Sequence, residues 1–304
     1  MIELAWLWIP ATIAAALAQT ARNAMQRHLT GALGTVGATH IRFVYGAPFA
    51  LMFLAGVLAA TGESAPAPDL AFFGFLAVGA FAQILATALM LAAMGTANFS
   101  MAITYTKTEP VQVAIFGLVI LGEAIGLLSA VAIVVATAGI LVMSAPWRRI
   151  AGPGALRPAL LGLASGAGFA ISATSFRGAI LSLAEGSFIV RASTTLAWAL
   201  VVQAAGIALY LFAFDRPTLA AILRAWRGSL WAGFLGALAS FFWFTAFSLA
   251  ITAHVRALAL VEVLFAYVVS GRVFAQRTER HELVGMVLVV GGVALLLLAT
   301  AGRY

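Results

Sequence analysis

The chain has no cysteine, very few charged residues and only two aspartates. The absence of cysteine excludes disulfide bonds, thiolate metal sites and cysteine nucleophiles. Only 9% of the residues are charged and 63% are hydrophobic, which excludes an ordinary soluble domain. The aspartates, Asp69 and Asp215, lie far apart in the sequence, which argues against magnesium–diphosphate chemistry.

Signatures of common enzyme classes are also missing. His281-Glu282 is not followed by a histidine at the spacing of zinc proteases, and there is no Gly-x-Ser-x-Gly elbow or phosphate-binding loop. We therefore expect no enzymatic activity, no cofactor and no metal site. The net charge of +7 comes from arginines in short loops between apolar runs, a pattern typical of membrane topology and not of nucleic-acid binding.

Ten apolar segments are each long enough to cross a bilayer as a helix, which takes about 20 residues. We predict an all-α integral membrane protein with ten transmembrane helices and short loops, and the amino terminus lacks the basic region of a cleavable signal. The segments lie near 4–26, 36–60, 69–92, 98–120, 124–145, 157–180, 187–213, 226–250, 253–275 and 281–301.

The two halves of the chain resemble each other at a constant offset of 153 residues, which aligns Glu109 with Glu262. A basic loop at 146–156 separates the first repeat, 1–145, from the second, 157–304, and each repeat contains five predicted helices. Because five is odd, the second repeat enters the membrane from the opposite face, so the two repeats are inverted. Inverted repeats with a site between them near the midplane are typical of secondary transporters.

Three groups of residues form recognisable motifs: Thr108-Glu109-Pro110 with Leu121-Gly122-Glu123, Val255-Arg-Ala257 before Glu262, and Arg42-Phe-Val-Tyr45. These motifs resemble the drug/metabolite transporter superfamily, in its EamA type. The resemblance covers essentially the whole chain and implies ten helices, no ATP, and movement of small organic metabolites or drugs. The second half departs from the family pattern, because Val263 and Ala275-Gln276 stand in place of a proline and a Gly-Glu pair.

Charged side chains within the apolar segments are the first candidates for a functional site. Such a charge costs roughly 2.5–3.5 kcal/mol at bilayer depth, so it needs a partner or water. We interpret Glu109 as a proton carrier or a ligand for a substrate ammonium group, and Glu262 as a second site carboxylate or a structural ion-pair partner. Lys107, the only lysine, points away from Glu109 and could pair with Glu262 or hold an anion. The alternative is snorkelling near a helix end. Pro110 should loosen this helix.

Polar residues of the first two helices extend the candidate site. Gln19, Arg22 and Asn23 share one face of the first helix, which must avoid lipid, and Gln19 and Asn23 could hydrogen-bond a substrate. Arg42 and Tyr45 share a face of the second helix. Arg42 is a candidate bidentate ligand for a carboxylate, or else a structural partner of an acidic helix end.

Aromatic residues could line one side of the site. Trp243 shares a face of the eighth helix with Phe247, and with Gln83 and Trp198 it could form a box for a flat ring. Ordinary packing and lipid contact are the alternative. Trp8, like other tryptophans near segment ends, is expected in an interfacial belt.

We predict a secondary active transporter, proton-coupled or exchanging, for a small organic metabolite such as an amino acid or an aromatic compound. We expect export across a bacterial inner membrane. The alternatives are import of a vitamin-like compound such as riboflavin and, less favoured, a non-transporting membrane protein. The expected partners are a small-molecule substrate, the lipid bilayer and a coupling proton, with no nucleic acid. Helices 5 and 10 carry few ionisable residues and are interpreted as peripheral supports or a homodimer surface.

The arginine distribution and the family resemblance disagree about orientation. Arginines crowd the loops between helices 1–2, 5–6, 7–8 and 9–10, while only Arg177, Arg256 and Arg303 are assigned to the opposite side. Because basic loops stay in the cytoplasm, this distribution places both termini outside. The resemblance implies both termini inside. We favour the arginine distribution, since this chain's own charges set its orientation.

Overall fold

The computed structural model describes residues 2–94, 104–144, 156–264 and 280–301. Within these ranges the regular structure is helical, and no strand is present. Short 3-10 helices lie at Ile2–Leu7 and Ala259–Val261. The α-helices are α1 (Trp8–Val44), α2 (Gly46–Thr61), α3 (Leu70–Met94), α4 (Glu109–Leu121), α5 (Leu127–Ser144), α6 (Leu156–Ser182), α7 (Phe188–Phe214), α8 (Arg216–Arg224), α9 (Trp226–Leu249), α10 (Thr252–Leu258) and α11 (Arg280–Thr300).

Seven helical segments of the described chain are long and apolar enough to cross a membrane, and α5 contains a shorter apolar segment. The prediction of an all-α, multi-pass membrane protein is therefore confirmed, while the number of ten helices remains a prediction. Five helices, α3, α6, α7, α9 and α11, begin and end within two residues of the predicted spans. Parts of the predicted fourth and ninth spans, 98–103 and 265–275, lie outside the described residues.

The predicted loop between the first two spans is wrong in detail, because residues 27–35 have helical backbone within α1. Nevertheless α1 is not straight. Cγ of Arg42 and Cδ of Arg22 lie 3.4 and 3.5 Å from the position that a Cβ on Gly236 would occupy. In a straight helix those two arginines would be about 30 Å apart. The chain therefore turns back between them, as two successive spans require.

By their contacts the residues fall into two compact units. Unit 1 comprises Met1–Ile9, Ala82–Thr174 and Ala250–Tyr304, and unit 2 comprises Pro10–Phe81 and Ser175–Leu249. Each unit draws segments from both halves of the sequence. The division by contacts therefore differs from the predicted division into sequence repeats, which rests on aligned residues and remains a prediction.

Glycines hold α5 and α11 of unit 1 in close contact. A Cβ added to Gly139 would lie 2.7 Å from the carbonyl oxygen of Gly285, and one added to Gly292 would lie 2.6 Å from the backbone nitrogen of Ala136. Small residues allow helices in a membrane to approach each other this closely. Helices 5 and 10 of the prediction are thus each other's packing partners, and Gly139 and Gly292 are a pair that the repeat aligns.

Replacing Gly139 with leucine should destabilise the protein by about 1–3 kcal/mol or more, because the new side chain meets backbone atoms that cannot move aside. The matched control is Gly291→Leu in α11, where an added Cβ has no neighbour within 4 Å. Thermal unfolding of the detergent-purified variants measures both effects. Equal melting temperatures for the two variants would contradict this account of the contact.

Trp8 is a buried residue of unit 1, so its predicted place in an interfacial belt is wrong. Its side chain is only 1% exposed, and its ring centroid lies 6.5 Å from that of His254. Trp6 and Trp226, in contrast, are exposed, as the belt requires. A tryptophan near a segment end therefore does not by itself mark the membrane surface.

Unit 2 contains α2, α7 and α9, and aromatic rings join two of these helices. Phe49 and Phe53 of α2 contact Phe234 of α9 edge to face, at centroid distances of 5.3 and 6.1 Å. The short helix α8, which was not predicted, begins at a cap in which Asp215 accepts the backbone N–H of Thr218 at 3.1 Å. The pKa of Asp215 is lowered by these Thr218 hydrogen bonds.

A hydrogen bond joins two loops of unit 2. Oε2 of Glu63, which follows α2, accepts the backbone N–H of Ser187, just before α7, at 2.6 Å. The contact places the two loops on one side of the unit, as the predicted alternation of spans requires for loops 2–3 and 6–7. The bonds from Ser187, first the backbone and then the side-chain bond, hold the pKa of Glu63 below its ordinary value of 4.5.

Because the folded-state pKa of Glu63 is lowered, its contribution to stability should be present above pH 4.5 and disappear as the pH falls through the lower folded-state pKa. The variant Glu63→Gln should therefore have a lower melting temperature than the native protein at neutral pH. In acid the two melting temperatures should be equal. Melting curves across that range test this, with Glu185→Gln in the neighbouring exposed loop as the control. A difference that persists unchanged in acid would contradict the carboxylate's role.

Candidate functional site

The helix that carries Glu109 is interrupted directly before this residue. Residues 104–106 are helical, Lys107 and Thr108 form a turn, and α4 begins at Glu109 with Pro110 in its first turn. The turn is closed by hydrogen bonds between residues three apart, in place of the four-residue spacing of an α-helix. The N–H of Lys107 donates to the carbonyl of Thr104, and the N–H of Thr108 donates to that of Tyr105, both at 3.1 Å. Proline suits this place because it lacks the N–H that a continuous helix would need.

The helix that carries Glu262 is interrupted at the equivalent place. The 3-10 turn Ala259–Val261 follows α10, and residues 262–264 are helical again. The offset of 153 residues aligns this turn with 106–108. Both carboxylates therefore stand at the start of a resumed helix, where the helix dipole favours a negative charge. Val263, which replaces the family's proline, has not removed the interruption.

Four charged side chains of unit 1 meet in two ion pairs between these interrupted helices. Nε of Arg256, in α10, lies 3.1 Å from Oε1 of Glu109, and Nζ of Lys107 lies 3.9 Å from Oε2 of Glu262. The arrangement is reciprocal, since each half of the sequence provides one acid and one base and each acid pairs with the base of the other half. We call these four residues the charge cluster. The expected pairing of Lys107 with Glu262 is present.

The two pairs differ in strength. Arg256 and Glu109 have side-chain exposures of 15% and 16% and stand at hydrogen-bond distance, so their pair is charge-assisted and poorly screened. The Lys107 side chain is 31% exposed and its nitrogen is farther from the carboxylate, which leaves a weaker, more hydrated pair. Glu109 and Arg256 therefore form the tighter half of the cluster.

Close packing of α6 supports the interruption before Glu109. Oγ1 of Thr106 donates to the carbonyl of Gly162 at 3.2 Å, and a Cβ on Gly166 would lie 3.1 Å from the carbonyl oxygen of Thr106. Nε2 of Gln112 donates to Oγ1 of Thr108 at 2.9 Å. The Gly162–Gly166 pair therefore allows the approach expected from small residues and places α6 against the interrupted helix.

The motif Leu121-Gly122-Glu123 ends α4. Gly122 has φ 68°, a left-handed conformation that glycine adopts without strain, and its N–H bonds the carbonyl of Leu118 at 3.1 Å. The bond from Gly122 to Leu118 is that of an αL-type cap, and the N–H of Glu123 also bonds the carbonyl of Gly117 at 3.0 Å. This motif is accounted for as a helix stop, whereas Thr108-Glu109-Pro110 marks the helix start and carries the charge.

The predicted residues of helices 1 and 2 belong to unit 2, and the charge cluster belongs to unit 1. Nε1 of Trp243 donates to Oε1 of Gln19 at 3.2 Å, so Gln19 pairs with the aromatic helix α9. The hydroxyl of Tyr45 donates to the carbonyl of Ile222 in α8 at 2.9 Å, a structural role. Arg42 lies beside Gly236, with its guanidinium 5.2 Å from the ring centroid of Phe43. The side chain of Asn23 lies outside the described residues.

The members of the predicted aromatic box make different contacts. Trp243 is buried and stacks on Phe247 at a centroid distance of 6.0 Å. Trp198 is exposed and meets Phe73 edge to face at 5.4 Å. The backbone carbonyl of Gln83 accepts the hydroxyl of Thr87 at 2.7 Å, within α3. The box itself remains a prediction.

For two candidate functional residues, the sequence alone did not predict the contacts that they make. Arg256 stands within the motif Val255-Arg-Ala257, but its distance of six residues from Glu262 matches no helical pairing rule, and its true partner is Glu109. Arg22 belongs to a recognised polar stripe, but its proximity to Arg42 depends on the reversal of α1. The sequence signal for Arg256 was its place in the motif Val255-Arg-Ala257. The sequence signal for Arg22 was the polar stripe on the first helix.

The structure also corrects the assignment of arginines to loops. Arg177 lies within α6, where a guanidinium nitrogen donates to the backbone carbonyl of Phe247, and Arg256 lies within α10. Both must be removed from the count of loop arginines on the sparsely charged side. Arg27, which was assigned to the opposite side, also has helical backbone within α1, so the orientation with both termini outside remains a prediction.

Comparison with known proteins agrees with this architecture. Residues 6–145 match the EamA-like transporter family. The first half of the chain is EamA-like. This confirms the family prediction for the first half of the chain, and it fits the expectations of a membrane transporter and of no enzymatic activity.

A solved crystal structure is similar in fold over 98% of this chain and 99% of its own length, with a TM-score of 0.71 and 15% sequence identity. At that identity the similarity concerns the fold alone. This similarity of fold covers both halves of the chain. The comparison with curated proteins finds no match.

Proposed function

We propose that this EamA-like chain is a secondary active transporter in which the charge cluster couples substrate movement to a proton. The observation that carries the proposal is the reciprocal pairing of Glu109 with Arg256 and of Glu262 with Lys107 at two interrupted helices. Ionisable side chains at membrane depth and broken helices are both features of transport sites. Their coincidence at positions aligned by the repeat supports a site shared by the two halves.

The cluster provides a switch that one proton can operate. In its paired state it contains two positive and two negative charges and is neutral as a whole. Protonation of Glu109 removes one negative charge and ends the attraction that holds Arg256, so the two interrupted helices lose their tighter link. Deprotonation restores it. In this mechanism the two inverted five-helix repeats rock against each other, and Glu109 alternates between a protonated state and the Arg256-bound state.

The cargo is a small organic metabolite such as an amino acid or an aromatic compound, exported across a bacterial inner membrane. The stacked rings of Trp243 and Phe247 in α9 suit a flat ring. Import of a vitamin-like compound such as riboflavin is the alternative direction and cargo, and the same site would serve it.

Transport by purified protein in proteoliposomes tests the proposal. Labelled aromatic amino acids, aliphatic amino acids and riboflavin are loaded in turn, and efflux and uptake are followed with a pH gradient of either sign. The proposal expects one class to move faster when protons flow against it, or to exchange with unlabelled compound. Efflux that responds to inward proton flow supports the exporter, and uptake that responds supports the importer. Rates equal to those of empty liposomes across the panel would contradict a carrier.

A further inference from the structure

The short helix α8, Arg216–Arg224, lies between two apolar spans of unit 2. The span before it ends at Phe214, the span after it begins at Trp226, and each is long and apolar enough to cross a bilayer. The chain therefore leaves the hydrocarbon region before α8 and returns to it afterwards. This connection places α8 at the depth of the lipid headgroups, where amphipathic helices and aromatic side chains meet the membrane surface.

One face of α8 is fixed to unit 2. Ile222 is fully buried in a cluster that includes Ile41, and Leu219, one turn earlier in the helix, packs against the same cluster. The hydroxyl of Tyr45 donates to the carbonyl of Ile222 at 2.9 Å, and Asp215 caps the first turn. Because these contacts hold the helix on one side, its opposite face is directed away from unit 2.

The outward face of α8 is basic. Arg216 and Arg224 are exposed and stand about 80° apart around the helix axis, given 3.6 residues per turn. Arg227, in the first turn of α9, is exposed as well. Residues 215–227 contain these three arginines and one acid, Asp215, which accepts a backbone N–H of α8. The segment therefore presents an excess of positive charge at the depth of the headgroups.

Exposed aromatic rings accompany these arginines. The guanidinium carbon of Arg216 lies 4.5 Å from the ring centroid of Phe212. The guanidinium carbon of Arg227 lies 5.4 Å from the ring centroid of Trp226. Both rings are exposed, as is that of Phe214 at the end of α7. A cation over such a ring stays at the boundary between hydrocarbon and water, where its N–H donors can reach the headgroups.

The α8 surface, as we call Arg216, Arg224 and Arg227 with the rings of Phe212 and Trp226, offers two kinds of contact. Guanidinium groups bind phosphate oxygens through paired N–H donors, and exposed rings pack against apolar chains. A phospholipid provides both groups, whereas a soluble phosphate provides only the first. A headgroup with net negative charge fits better than a zwitterionic one, because the surface has an excess of positive charge.

We propose that the α8 surface binds an anionic phospholipid, with the headgroup phosphate at the arginines and an acyl chain along the rings. The protein then distinguishes lipids by their charge at one defined place and not evenly around its lipid-facing surface. This lipid site is additional to the proposed transport function and does not depend on it, since it requires only that the chain spans the membrane.

Lipid binding to the purified full-length protein tests the α8 surface. Protein in detergent is titrated with phosphatidylglycerol or with phosphatidylcholine of identical acyl chains, and native mass spectrometry counts the bound lipids. We expect the first phosphatidylglycerol to bind at least about twentyfold more tightly than the first phosphatidylcholine. Each arginine near the membrane surface should contribute roughly fivefold to this preference, the equivalent of about 1 kcal/mol. The double variant Arg224→Gln/Arg227→Gln should therefore reduce the preference at least about tenfold.

Two further variants serve as controls. Arg157→Gln/Arg280→Gln removes two exposed arginines at the starts of α6 and α11 and should leave the preference unchanged. Arg224→Lys/Arg227→Lys keeps both charges and guards against misfolding, so it should retain a larger preference than the glutamine variant does.

Three results would overturn the proposal. The first is equal binding of the two lipids by the native protein, and the second is an equal loss of preference in the Arg157→Gln/Arg280→Gln control. The third is displacement of phosphatidylglycerol by an equal concentration of glycerol 1-phosphate, which would assign the arginines to a soluble phosphate. A dimer in lipid-free detergent that Arg224→Gln/Arg227→Gln dissociates would likewise contradict the proposal, because it would assign the α8 surface to a second copy of the chain.

Discussion

Glu109→Gln should remove the pH dependence of transport. Glutamine keeps an oxygen that can accept the Nε–H of Arg256, so the geometry of the pair is retained, but it cannot take or release a proton. If Glu109 carries the coupling proton, the variant cannot be driven by a pH gradient. We expect flux in proteoliposomes to be equal at all tested pH values and to fall at least about tenfold below the native rate under a gradient, because a positioned proton-transfer group typically contributes at least that much to a rate.

Glu185→Gln provides the matched control, because it makes the same chemical change in an exposed loop of unit 2. Its transport should follow that of the native protein at every pH. Glu262→Gln separates the two carboxylates, since it removes the partner of Lys107 and leaves the tighter pair intact. A Glu109→Gln protein that keeps the native pH profile would show that the proton is carried elsewhere.

Arg256→Gln should cause a large loss of stability, which a second substitution should partly reverse. Removing the arginine leaves the carboxylate of Glu109 poorly hydrated and without its closest cation, a change that costs about 3–5 kcal/mol at buried ion pairs. In the double variant Arg256→Gln/Glu109→Gln, two neutral amides replace the pair. It should be more stable than Arg256→Gln alone, with a coupling free energy of roughly 0.5–3 kcal/mol.

Thermal and denaturant unfolding of the native protein, the two single variants and the double variant measures this coupling in detergent. The same cycle with Lys107→Gln and Glu262→Gln should give a smaller coupling, because that pair is longer and more exposed. Additive effects of the Arg256 and Glu109 substitutions would show that the two side chains do not stabilise each other.

The sequence predicted the residues of the charge cluster better than their pairing. A glutamate repeated at one offset within apolar segments is readable, and so is a lone lysine near it, because charges are rare at such depth. The partner of Glu109 was not readable. Arg256 reaches it from a helix that ends in a 3-10 turn, and rules for side-chain pairs hold only within a continuous helix.

Most spans were predictable because hydropathy reports the burial of a helix in lipid directly. Contacts between helices were less predictable from the sequence. The offset of 153 residues aligns Gly139 with Gly292, but the contact of Gly139 with Gly285 appears only in the folded chain. The reversal within α1 was predicted as a loop, yet its residues keep helical backbone, which apolar runs cannot reveal.

The most direct measurement of the central claim is proton movement driven by substrate. Proteoliposomes with an internal pH-sensitive dye receive a gradient of the transported compound and no imposed pH gradient. The account predicts a substrate-dependent pH change for the native protein and none for Glu109→Gln, even where that variant still exchanges labelled substrate. A pH change of native size in Glu109→Gln would contradict the assignment of the coupling proton to the charge cluster.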